Sequence, residues 1–168
     1  MGRRRSDSLD IEYIGGLKEE STPFAGLVLL LDVFRQAGIR TTAERVLPQK
    51  RSPKGLRQGQ MVEAFISLSS LGGECVEDME SLRHDKGLEA LLGYRPPAPE
   101  TARQWLDGFH DESLMVWRLL QGSFIPAESG PLVGLREVNK RVIWAYVRAT
   151  KPDWELTLDV DAHLVETD

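Results

Sequence analysis

Cysteine is almost absent from this chain: Cys75 is the only one in 168 residues. A single thiol permits no internal disulfide and no cysteine-based zinc site, and it fits a reducing, cytosolic compartment. Histidine is scarce as well, with His84, His110 and His163 far apart, so the metal chemistry open to the chain narrows to carboxylates. Long apolar runs are missing. The longest, residues 24–31, stops at Asp32 and is far too short to span a bilayer, so no membrane partner is expected. No nucleophile motif, phosphate-binding loop, zinc spacing or internal repeat occurs. Met1-Gly2-Arg3-Arg4-Arg5-Ser6 formally matches a myristoylation signal and carries paired arginines, but polar Ser6-Asp7-Ser8-Leu9-Asp10 follows where an export leader needs an apolar segment.

What is present suits a soluble globular chain: 41% hydrophobic and 28% charged, long enough for one domain with a real core. The net charge of −5 argues against a nucleic-acid partner until its distribution is considered. Between residues 35 and 57, seven basic residues (Arg35, Arg40, Arg45, Lys50, Arg51, Lys54, Arg57) stand against Glu44 alone. Such a segment inside an acidic chain fits a phosphate footprint. Solvated loop charges around Pro48 and Pro53 account for it equally well.

Hydrophobic periodicity predicts helices almost throughout. Residues 1–20 are polar, with a short candidate strand at 11–14. Ser21-Thr22-Pro23 is a helix start, and the helix should run to about Ala37, where Gly38 can close it. Its apolar positions cover nearly the whole circumference, which predicts a central core helix. A short helix at 42–47 and a long one at 56–71, with Met61, Phe65 and Leu68 as its stripe, come next. Cys75, Met79 and Leu82 define a third, too acidic at Glu74, Glu77, Asp78 and Glu80 to face phosphates. Leu88, Leu91 and Leu92 define a fourth, closed by Gly93. After Pro96-Pro97-Ala98-Pro99, the spacing of Ala102, Trp105, Leu106 and Phe109 predicts an amphipathic helix. Its other face offers Thr101, Arg103 and Gln104. Leu114, Trp117 and Leu120 suggest a further helix, residues 122–131 a linker, and Leu135 to Ala149 a last long helix with Arg136, Lys140, Arg141 and Arg148 outermost. Trp105, Trp117, Phe109 and Phe65 suit a core; His84 and His110 suit exposed helix ends.

The final stretch, 154–168, differs. Read with a period of two, it sets Leu156, Leu158, Val160 and Ala162 on one face of a strand and Thr157, Asp159, Asp161 and His163 on the other. Aspartate is disfavoured in strands, so the pair has two explanations: an edge strand with a solvated polar face, or carboxylates that hold a hard cation with others from elsewhere. His163 reads as a neutral strand histidine rather than a ligand.

Several segments, in their order, carry a resemblance. They are Gly15-Gly16-Leu17, Pro23-Phe24-Ala25-Gly26-Leu27, Leu71-Gly72-Gly73-Glu74-Cys75-Val76-Glu77-Asp78, Leu82-Arg83, residues 88–93, Glu100-Thr101-Ala102-Arg103 with Trp105-Leu106, and Leu156-Thr157-Leu158-Asp159-Val160-Asp161-Ala162. Together they resemble the N-terminal part of bacterial insertion-sequence transposases of the DDE type, the group whose first catalytic aspartate sits on a Leu-Thr-Leu-Asp-x-Asp strand. His163 departs from the Thr or Ser usual there.

The resemblance implies a mainly α fold: a multi-helix N-terminal domain followed by a single strand that would begin an RNase H-like α/β catalytic domain. Its divisions would be a polar segment at 1–20, a helical DNA-binding domain at 21–121, a linker and long helix at 122–153, and the first catalytic strand at 154–168. Asp161 matches the first carboxylate of the catalytic triad and Asp159 a supporting acidic position. In the complete enzyme they would bind Mg2+ or Mn2+ for DNA cleavage and strand transfer. The second Asp and the Glu of the triad are not in the chain, so the expectation is a truncated enzyme, inactive alone and without a metal of its own.

The implied partner is double-stranded DNA at the transposon's terminal repeats, in the bacterial cytoplasm and nucleoid, with a homo-oligomer as a further option. Arg51, Lys54 and Arg57 would position the duplex through phosphates, and Thr101, Arg103 and Gln104 would reach base edges from a helix-turn-helix-like unit. The bland alternative is a polar helix side facing water. Two other functions remain open: a non-catalytic DNA-binding regulator derived from a transposase, and a helical protein-interaction module.

Overall fold

The computed structural model describes residues 22–49, 54–114 and 128–150, and within them the chain is helical, with no strand. The candidate strands at 11–14 and 154–168, the helix around Trp117 and most of the expected linker lie outside the described residues.

Helix α1, Ala25–Gln36, begins two residues after the hydroxyl-proline signal, with Phe24 as its N-cap. The Thr22 hydroxyl accepts a hydrogen bond from the Phe24 amide at 3.0 Å and donates to Asp85 at 2.6 Å. Asp85 is the N-cap of α5, Lys86–Leu92, where its other oxygen accepts from the Leu88 amide at 2.8 Å. One carboxylate thus fastens the starts of two helices. The expectation that α1 is central fails. Leu27, Val28 and Leu31 are buried, but Leu29 and Val33 are each 59% exposed, because α2, α3 and α5 all pack on its other side.

The central helix is α3, Gln58–Ser70, which contributes to both apolar clusters of the described core. In one, Ala64 and Leu68 meet Leu27, Leu31, Met79, Leu82, Leu88 and Leu92; in the other, Val62 meets Ile39, Ala43, Leu47, Phe109 and Val138. Helix α2, Ile39–Val46, starts three residues before the expected helix at 42–47. Gly38 lies between α1 and α2 with φ of 73°, a left-handed conformation that glycine adopts without strain. Helices α2 and α3 cross closely at Gly59, where a Cβ would stand 2.8 Å from the Arg40 carbonyl oxygen. The Gly59 amide donates to Glu44 Oε1 at 2.9 Å.

Inside this apolar frame sits a buried ion pair. Arg35 of α1 makes a two-pronged contact with Glu63 of α3, through Nε and, at 2.8 Å, through Nη2. Its Nη2 also donates to the Leu92 carbonyl at the end of α5, at 3.2 Å. Burial alone would lower the guanidinium pKa, but the hydrogen bond and charge of Glu63 outweigh it and raise the pKa. Burial first, and the Glu63 carboxylate second, raise that of the neighbouring Tyr94 hydroxyl, which donates to the Gln60 carbonyl at 3.2 Å. Arg35 therefore leaves the basic footprint counted over residues 35–57, because it is already neutralised inside the protein.

The third expected helix is split into a 3₁₀ turn, Val76–Asp78, and α4, Met79–His84. Asp78 accepts from the amides of Glu74 at 2.9 Å and Cys75 at 3.2 Å, and these bonds hold its carboxyl below the usual aspartate range. Gly93 closes α5 with φ of 74°, and the Arg83 guanidinium donates to the Pro96 carbonyl at 3.0 Å, tying down the proline-rich turn before α6, Pro99–Asp107. A second 3₁₀ turn spans Glu112–Leu114.

Helix α7, Gly130–Thr150, packs on α2. Buried Ser129 starts it, donating to the Phe109 carbonyl at 2.7 Å and accepting from the Leu132 amide at 3.3 Å. At Gly134 the helices touch: a Cβ there would meet the Val46 carbonyl oxygen at 2.5 Å. No described helix is long and apolar enough to cross a membrane.

Candidate nucleic-acid interface

Two of the three expected phosphate contacts can be located. Lys54 and Arg57 are exposed on the approach to α3, and Arg57 is the residue from which α3 begins. Its amide donates to Gln60 Oε1 at 2.8 Å, fixing the first turn. Arg51 lies outside the described residues.

The expected base-reading residues Thr101, Arg103 and Gln104 are exposed on α6, while Ala102 on the opposite side is fully buried. Trp105 anchors the helix. Its ring stacks on Phe65 at 5.2 Å and meets Phe109 edge-on at 4.6 Å. Its indole N–H donates to Gln58 Oε1 at 2.6 Å, and the Gln58 amide nitrogen donates in turn to the Pro48 carbonyl. Buried Gln58 follows Arg57 directly, so it ties α6 to the start of α3 and to the end of α2. The outcome is a groove of about 290 Å³ whose lining includes Pro48, Gln58, Thr101 and Gln104. The fold thereby brings Thr101 and Gln104 to the helix end that carries Arg57.

Arg103 is differently placed. It is ion-paired to Glu77 of the 3₁₀ turn and, at 3.5 Å, to Glu100 of its own helix. The Gln104 side chain also donates to Glu100, at 3.0 Å. The acidic turn that sequence reasoning kept away from phosphates is thus the neighbour of α6, which packs principally on that turn rather than on α5 as a helix-turn-helix would require.

Sequence reasoning missed the bridging part of Gln58. The available signal was chemical rather than periodic: a tryptophan taken into a core needs a partner for its N–H. Likewise Ser129, read as linker, is a buried cap.

Asp159, Asp161 and His163 lie outside the described residues. Among the described residues no group of three or more His, Cys, Asp or Glu side chains is placed to hold a metal ion. Comparison with protein-family models, with curated proteins and with solved structures gives no match.

Proposed function

We propose that the helical domain binds double-stranded DNA, as the end-recognition part of a DDE-type transposase whose first catalytic carboxylate is Asp161. The observation that carries the proposal is the groove at which the start of α3 and the face of α6 meet. Lys54 and Arg57, exposed on the approach to α3, would hold phosphates in register. Thr101 and Gln104, in the first turns of α6, are residue types suited to base edges, glutamine pairing with adenine in the major groove. Arg103 reaches DNA only by leaving Glu77, so it acts as a reserve cation rather than the first contact. Cleavage and strand transfer, with Mg2+ or Mn2+ on Asp161 and Asp159, belong to the complete enzyme; the resemblance of the quoted segments supports that part.

The test is anisotropy of a labelled short duplex titrated with the full chain at low salt. Binding is expected, with Gln104→Ala narrowing the difference between preferred and scrambled sequences. Equal affinity of the wild-type chain for all sequences would remove α6 as a reader.

A second function is favoured by one feature. An apolar groove of about 660 Å³ runs between α3, α6 and α7, with Leu106, Leu132 and Leu135 among its lining residues, which suits a protein-interaction module. That alternative expects Lys54→Glu with Arg57→Glu to leave duplex titrations unchanged.

A further inference from the structure

A third groove, of about 510 Å³, lies between α2 and α7, and its described lining residues differ from those of the groove that holds Thr101 and Gln104. Helix α2 presents Thr41 and Arg45 to it, and α7 presents Lys140, Arg141 and Trp144. Lys140, Arg141, Trp144 and Arg148 recur on one side of α7 at helical spacing, and all four are exposed. Among the described residues the one acidic lining residue is Glu137, which Lys140 engages at 2.7 Å. That hydrogen bond, outweighing a small effect of burial, holds the Glu137 carboxyl below its usual range. The groove is therefore cationic in a chain of net charge −5.

Two details give the groove a specific chemistry. Trp144 is 58% exposed, although a tryptophan of this size stabilises a fold most when buried. It stands among the cations of the groove. Arg141 is held in place by donating from Nε to the Ala37 carbonyl at 2.7 Å, at the corner between α1 and α2. A guanidinium has five N–H donors, so others remain to meet an oxyanion.

We propose that this groove binds single-stranded nucleic acid, with backbone phosphates on Arg45, Lys140 and Arg141 and one base stacked on Trp144. Cationic tracks with an exposed aromatic are the general means of holding single strands, because every base has a π-face to offer. A duplex keeps its bases stacked inside and has none to give Trp144. An acidic peptide would use the cations and leave the indole without a partner. The inference is independent of duplex binding at the start of α3.

The experiment follows tryptophan fluorescence as the full chain is titrated with an eight-residue oligothymidylate at low salt. Saturable quenching is expected, with a slope of log K against log salt of roughly −2 for three phosphate contacts on a single strand. Trp144→Ala should abolish that quenching and, by anisotropy of a labelled oligothymidylate, weaken binding by roughly 5- to 150-fold, while Trp144→Phe retains most of the affinity in the same anisotropy assay. Arg45→Ala should flatten the slope by about 0.7. Both positions are exposed, and an unchanged far-UV circular dichroism spectrum verifies that each variant is folded. Arg57→Glu should leave the titration unchanged, separating this site from the duplex surface. Absence of quenching at low salt, quenching that survives in Trp144→Ala, an eight-base-pair duplex that quenches Arg57→Glu as strongly as the single strand does, or equal competition by polyglutamate would each overturn the proposal.

Discussion

Replacing Glu63 by glutamine keeps the volume of the side chain but deprives the Arg35 guanidinium, whose side chain is 8% exposed, of its paired carboxylate. Breaking a buried pair by removing one partner destabilises by about 3–5 kcal/mol, because desolvation of the remaining charge is no longer offset. Against a typical domain stability of about 5–15 kcal/mol, that is about a fifth or more of the total. With a urea m-value of about 2 kcal/mol/M, a loss of 4 kcal/mol moves the unfolding midpoint down by roughly 2 M. The companion double variant Arg35→Met with Glu63→Leu removes both charges and should recover most of that loss. It should fall short by about 1–3 kcal/mol, since the Leu92 carbonyl loses the donor it has at 3.2 Å. Urea titrations followed by circular dichroism measure all three proteins. A Glu63→Gln midpoint within about 0.3 M of wild type, equivalent to roughly 0.5 kcal/mol, would refute the buried pair as described.

Three more outcomes are expected. Gly134→Ala should destabilise by about 1–3 kcal/mol through overpacking against the Val46 carbonyl; a higher melting temperature, as alanine's helix propensity alone would give, would contradict the crossing. The Asp78 carboxyl has a folded pKa below its unfolded value of about 3.9, so its contribution is present above that pH and lost as pH falls through the folded pKa. The stability gap between wild type and Asp78→Asn should therefore close in acid, and a gap that widens there would reverse the sign. Glu77→Gln releases Arg103 from its ion pair and removes a negative charge beside α6, so duplex affinity measured by anisotropy should rise several-fold; weaker binding would mean that Glu77 orients Arg103 for its contact.

The helices were legible because burial repeats along them. Met61 and Leu68, Leu88 and Leu92, and Met79 and Leu82 lie in the core at the spacings that predicted them. Glycines were legible too, since Gly38 and Gly93 take the left-handed conformation expected at helix ends. Central position was not, because it depends on which neighbours arrive: α1 is the more continuously apolar helix, yet α3 is surrounded. Pairings distant in sequence leave no periodic trace. Nothing local to Arg35 announces Glu63 as its partner across 28 positions, so a neutralised core residue was counted in a basic segment. The same holds for Arg103 with Glu77 and for Gln58 with Trp105, which decide how the candidate site is presented. The strand bearing Asp159 and Asp161, on which the catalytic part of the expectation depends, lies outside the described residues.

Duplex binding at the start of α3 is tested most directly by its salt dependence. Anisotropy titrations of the full chain on one labelled duplex, repeated across several salt concentrations, give the slope of log K against log salt for wild type and for Lys54→Ala with Arg57→Ala. Two lost phosphate contacts should flatten the slope by about 1.8, with binding retained at the lowest salt. An unchanged slope in the double variant, or no binding by the wild-type chain at low salt, would contradict a DNA-binding surface at this end of the helices.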